Sequence, residues 1–151
     1  MKAVRCQHGH VHVVDVPAPK GDGVKVKVVS AGIWGSDLHL GSGPFEIAST
    51  LGHEVAGLLP DGRAVAIEPV APCGHCEYCG RGDYNLCLLG PGMIMGTGLD
   101  GGMAEEILVP ARSIIALPSG LAARDACLVE PLGVAVHGLR LTQFNSTQKV
   151  A

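Results

Sequence analysis

The chain has 151 residues, 47% of them apolar and 17% charged, with a formal charge of −3. That length carries one domain with a real core, and the composition excludes a disordered chain. The basic residues are scattered, which excludes a nucleic-acid footprint and a polybasic membrane patch, and no run approaches the roughly 18 apolar residues of a membrane span.

The start, MKAVRCQHGHVHVV, has no apolar signal-peptide core, so a cytoplasmic chain with no nucleic-acid or membrane partner is expected. One Trp, two Tyr and two Phe leave the core to Val, Leu, Ile and Ala, while 22 Gly and 10 Pro predict frequent turns and short elements. KAVRC (2–6) and HVHVVDV (10–16) read as strands around a turn at His8–Gly9. If extended, His8, His10 and His12 share one face, which fits a solvated strand better than a metal site. PAPKGDG (17–23) is a loop, and VKVKVVSA (24–31) alternates like a strand with one wet face. Residues 34–43 form a turn or a short helix. HEVAGLL (53–59) and RAVAIEP (63–69) read as strands joined at Pro60–Asp61–Gly62. Residues 71–92 are a lobe rich in cysteine and glycine. AEEILVP (104–110) and SIIALP (113–118) are short strands, and a helix begins near Glu130–Pro131 and continues through LGVAVHGLRL (132–141). The result is a mainly β chain, a small β-barrel with short helices and no internal repeat.

CGHCEYCGRGDYNLC (73–87) places Cys73, Cys76, Cys79 and Cys87 in the spacing C-x2-C-x2-C-x7-C. Such a set can close a tetrahedron of thiolates at ~2.3 Å around one zinc ion, with no open position for substrate. An iron–sulfur cluster is the rival, since ferredoxins also use C-x2-C-x2-C. Their fourth cysteine comes sooner and is followed by proline, whereas Leu88 follows Cys87, which places zinc ahead. His75 lies among the ligands, but four thiolates fill the shell. Cys6 and Cys127 stand apart and read as small buried hydrophobes.

AGIWGSD (31–37), LGHEVAG (51–57), the cysteine lobe, GGMAEEILVP (101–110) and VEPLGVAVHGL (129–139), in that order, resemble the medium-chain dehydrogenase/reductase family, the zinc-type alcohol and polyol dehydrogenases. The resemblance implies a GroES-like, partly open barrel over residues 1–148 carrying the catalytic side, with a four-cysteine zinc lobe at 71–92. It also implies that Lys149–Val150–Ala151 begin the first strand of a Rossmann domain that is otherwise absent from this chain. In such proteins that second domain binds NAD(P), and pairing into homo-oligomers is common. GTGLDG (96–101) matches G-x-G-x-x-G, but only MIM precedes it and Pro110 soon follows, so it reads as a glycine-rich hairpin and not a dinucleotide site.

The resemblance further implies a catalytic zinc with an open position, held by a cysteine before Gly-Ser/Thr-Asp, the histidine of Gly-His-Glu and a later acid or cysteine. Carried onto this chain, His53 is the histidine, Glu130 the later acid, and Glu54 the adjacent acid that can bind metal directly. Asp37 matches the carboxylate that orients the imidazole, Ser36 the hydroxyl that takes the substrate proton, and His39 a group that passes it on. Ser36–Asp37 would equally suit a helix start, and Glu130 a helix dipole. Trp34 stands where the cysteine belongs. An indole offers no ligating lone pair, so a metal here is expected to be weakened, with the ring filling the core space that metal and substrate would share. A shortened hairpin at 57–65 is a second departure. The expected activity is oxidation of a small alcohol or polyol by the complete enzyme, impaired in this chain. The alternative is a non-catalytic or metal-independent barrel that keeps only the structural zinc.

Overall fold

A computed structural model describes residues 1–42, 47–145 and 147–149. The expected strand start at Val150–Ala151 therefore lies outside the described residues.

Strands β1 (Lys2–Gln7) and β2 (His10–Asp15) form the predicted hairpin. His8 and Gly9 both take positive φ, 53° and 74°. That is the two-residue turn whose twist matches its flanking strands. β3 (Val24–Ala31) follows the loop, and α1 (Gly35–Ser42) is the short helix allowed by the sequence. β4 (Ile47–Thr50) pairs with β1, a strand that four residues, IAST, do not announce by periodicity. β5 (Val55–Leu58) and β6 (Ala64–Ile67) form the short hairpin over Pro60–Asp61–Gly62. Asp61 accepts hydrogen bonds from the Arg63 backbone N–H (3.0 Å) and Nε (2.8 Å), and Gly62 supplies a φ of 86°. The lobe contains α2 (Glu77–Arg81), closed by Gly82 in the left-handed region. β7 (Glu106–Val109), β8 (Ile114–Ala116) and α3 (Val129–Leu141) complete the chain, with Pro131 in the first turn of α3 as expected.

The strands make two antiparallel sheets, ordered β2-β1-β4 and β7-β3-β5-β6-β8. An Ala3–Ala104 bridge and the hydrogen bonds Val4 N–H to Met103 O (2.8 Å) and Glu105 N–H to Lys2 O (3.2 Å) join them into a half-barrel. Among the described residues every strand ladder is antiparallel, so no Rossmann unit is present in them. The larger core packs Val26, Val55, Leu59, Val65, Ile67, Ala71, Met95, Ile107 and Val109; a second packs Cys6, Ile47 and Leu51. Neither contains an aromatic ring, as the composition demands. Cys6 is buried and Cys127 only half-buried.

The glycines of GTGLDG are explained by close packing. A Cβ on Gly96 would lie 2.9 Å from Gly52 N, and one on Gly101 2.2 Å from Gly52 O. These glycines let two backbones touch, which accounts for them without a nucleotide. Among the described residues no helix is long and apolar enough to cross a membrane.

Candidate metal centres

The lobe springs from the barrel between a Val70–Ile94 bridge and the hydrogen bonds Ala71 N–H to Met93 O (2.8 Å) and Met95 N–H to Pro69 O (3.0 Å). Above this base the sulfurs of Cys73, Cys76, Cys79 and Cys87 all lie within 4.8 Å of one another. Cys76–Cys79, Cys73–Cys79 and Cys76–Cys87 are separated by 3.4, 3.9 and 4.0 Å. A regular tetrahedron with metal–sulfur bonds of ~2.3 Å has edges of ~3.8 Å, so these spacings fit one zinc ion. Backbone N–H groups aim at the sulfurs: Cys76 N–H at Cys73 Sγ (3.3 Å) and Cys73 N–H at Cys87 Sγ (3.4 Å). His75 is turned away, its Nδ1 2.9 Å from Cys73 O, so it stays outside the sulfur set.

Protons divide unevenly over the four sulfurs. Hydrogen bonds from the backbone at Cys79 and Leu88 hold the Cys76 thiol down at about 6. Burial pushes Cys79 up to about 12. Cys87 is lowered by the Cys73 and Leu89 backbones. Four packed thiols cannot all ionise beside one another, and a divalent cation, when bound, would take the place of the remaining protons.

The second group is assembled from distant elements. His53 is half-buried ahead of β5, and Glu54 beside it is only 4% exposed. Glu54 Oε1 is buried with no hydrogen-bond partner among the described residues. Gly32, which the sequence reading passed over, explains how that carboxylate fits. Its N–H donates to Glu54 O (2.8 Å), and a Cβ there would stand 1.7 Å from Glu54 Oε2. Glu130, in the first turn of α3, is half-buried. Burial raises its carboxyl above the usual range, the His53 charge lowers it and the Glu54 charge raises it. The three side chains therefore feel one another. Among the described residues, however, only the cysteines form a set of three or more ligand atoms within 4.8 Å; His53, Glu54 and Glu130 do not, nor do His8, His10 and His12. His10 and His12 are exposed on β2, their ring centroids 6.3 Å apart.

Trp34 precedes α1. Its N–H donates to Asp37 Oδ2 (2.8 Å), and Asp37 N–H donates back to Trp34 O (3.0 Å). The carboxylate thus caps the backbone N–H three residues back, the half of a capping box that an acid at this position supplies. Asp37 is 4% exposed, and among the described residues no hydrogen bond joins it to His53. Ser36 is half-buried and His39 exposed. The expectation that Trp34 fills core space does not hold: the residue is 45% exposed. The Asp37 contact fixes its backbone at the start of α1, with the ring partly in solvent.

A GroES-like half-barrel bearing a four-cysteine lobe defines the class. The family of the alcohol dehydrogenase GroES-like domain matches residues 20–119. The chain belongs to that family, as the N-terminal domain of the medium-chain, zinc-type alcohol and polyol dehydrogenases. It is 34% identical to a sorbitol dehydrogenase of Halalkalibacterium halodurans over 96% of this chain and 47% of that protein. Galactitol-1-phosphate dehydrogenase from Escherichia coli superposes with a TM-score of 0.81 at 34% identity, covering 95% of this chain and 45% of that one. An alcohol dehydrogenase of E. coli CFT073, complexed with NADH, gives 0.81 at 30% identity over 95% and 46%. The chain spans under half the length of these relatives.

Proposed function

We propose that residues 1–148 are the substrate-side domain of an NAD(P)-dependent, zinc-type dehydrogenase of small alcohols or polyols, impaired at its catalytic metal in this chain. NAD(P) would be bound by the portion of such enzymes that these residues do not match, starting near residue 149. Residence in the cytoplasm and homo-oligomers of the complete enzyme belong to the same reading. The observation that carries it is the unpartnered Glu54 Oε1, buried beside His53 and Glu130. A buried anion with a free acceptor calls for a cation.

His53, Glu54 and Glu130 would hold that ion. When bound, zinc supplies Lewis acidity at an alcohol oxygen. Ser36 would accept the substrate proton and His39 would carry it to solvent, in line with their half-buried and exposed positions. Asp37 holds the start of α1, and so the position of Ser36. With Trp34 in the thiolate's place, the set is one nitrogen and carboxylate oxygens, and affinity falls by more than the roughly 10–100-fold that follows loss of a supporting partner.

A second reading, a metal-independent barrel retaining only the lobe zinc, is favoured by the failure of His53, Glu54 and Glu130 to close to within 4.8 Å. Metal analysis separates the two. The wild-type chain is expected to hold one zinc tightly and a second only at excess zinc. W34C is expected to hold two tightly. One zinc in W34C, with the lobe intact, refutes the proposed centre and leaves the second reading.

A further inference from the structure

Two side-chain contacts tie the lobe to the barrel. The Tyr84 phenol lies close enough to the Glu68 carboxylate, just after β6, for that group to raise it. The other contact comes from Arg112, in the single turn Ala111–Ser113 between β7 and β8. Its Nη2 donates to the carbonyl of Pro72, a buried residue immediately before the first cysteine. Its Nη1 lies 3.6 Å from where a Cβ on Gly74 would stand. The guanidinium thus holds the backbone just before Cys73 and lies alongside Gly74 just after it. The turn carrying it is itself anchored, since Glu68 N–H donates to Ser113 O at 2.8 Å.

Two physical effects converge here. A planar fork fixes the direction of the strand it holds better than an ammonium would. Four thiolates around a divalent ion also leave a net charge of about −2, which a neighbouring cation offsets. Without Arg112 the buried Pro72 carbonyl loses its donor, and Cys73 loses its tether to the barrel.

We propose that Arg112 is a positioning residue of the metal lobe: from outside the cysteine loop it holds Cys73 in register with the other three sulfurs and lengthens the residence of the bound ion. This rests on the four-thiolate reading, which has its own check. A wild-type chain that binds no zinc fails that reading, whereas variants that hold zinc as well as wild type fail this one.

The test compares zinc-loaded wild type, R112M, R112K and R81M, following release to a chromophoric chelator. Arg81 is the control. It is an exposed cation on the lobe itself, stacked on Tyr78 at 5.0 Å and 3.4 Å from Asp83, and its guanidinium makes no hydrogen bond to a ligand backbone among the described residues. R112M is expected to release zinc about tenfold faster, the low end for loss of a supporting partner. R112K should fall between R112M and wild type, and R81M should match wild type. In cobalt-substituted protein the sulfur-to-metal charge-transfer band should shift in R112M and not in R81M, because Cys73 changes its place. Release from R112M at the wild-type rate, or an equal acceleration in R81M, overturns the proposal. If R112M does not accumulate, R112K decides: faster release supports the proposal and the wild-type rate overturns it.

Discussion

The two candidate metal centres are built in opposite ways. The lobe draws all four ligands from one fifteen-residue stretch, 73–87, and tight turns at Gly74 and Gly82 set their spacing. The His53–Glu54–Glu130 group needs the entrance to β5, the start of α3 and the approach to α1 to meet. A local loop tolerates changes elsewhere in the barrel. On the proposed reading, the assembled centre lacks a donor at Trp34 while every other element stays in place. The same fold thus carries one complete donor set and, as proposed, one thinned set.

The comparison can be broken most severely at the lobe. C76S removes a ligand, and with it the thiol held down at about 6, so zinc binding at the lobe should be lost, with the barrel's β signal retained in circular dichroism. Zinc content equal to wild type would refute the four-thiolate assignment. At the other centre, G32A should push the Glu54 carboxylate from its niche. Glu54 could swing its carboxylate aside, but its own Cβ would also lie 3.0 Å from the new methyl, and the residue is buried. A loss of about 1–3 kcal/mol in chemical denaturation is expected, as for other overpacked sites; an unchanged midpoint would show that Gly32 is not needed there.

The smallest expected effect is a difference in pH response. In the metal-free chain the Cys76 thiol is lowered from 9.0 to about 6. Its stabilisation is present above pH 9.0 and fades as pH falls through about 6. Glu130 has the opposite sign, because burial raises it from 4.5. Its contribution is present below 4.5 and is lost as pH rises through the raised value. C76S should flatten the stability profile between pH 6 and 9, and E130Q should flatten it above 4.5 only. Melting temperatures across that range check both, and a common response to the two variants would remove the distinction.

Much of this was legible in the sequence. The His8–Gly9 hairpin, the alternation in β3, the Pro60–Asp61–Gly62 turn and the start of α3 are local signals, and each appears in the structure where the residues place it. The cysteine spacing is local too. β4 was hidden because its four residues gain their strand character from pairing with β1. α2 was hidden because five residues show no period. Gly32 and Arg112 were not legible, since each acts on a residue far along the chain: Glu54 in one case, Pro72 in the other. The exposure of Trp34 was missed for a related reason. The sequence shows the size of the ring, while its setting depends on the Asp37 contact that fixes the helix start.

Helix α3 has one more consequence. Leu132, Val134, Val136, Leu139 and Leu141 all face water along it, at 38–71% exposure. Oily side chains spread around thirteen residues make an adhesive rod attached to a well-packed body. In a preparation of these 151 residues, association through this rod is expected to begin while the half-barrel is still intact, which light scattering beside circular dichroism would check.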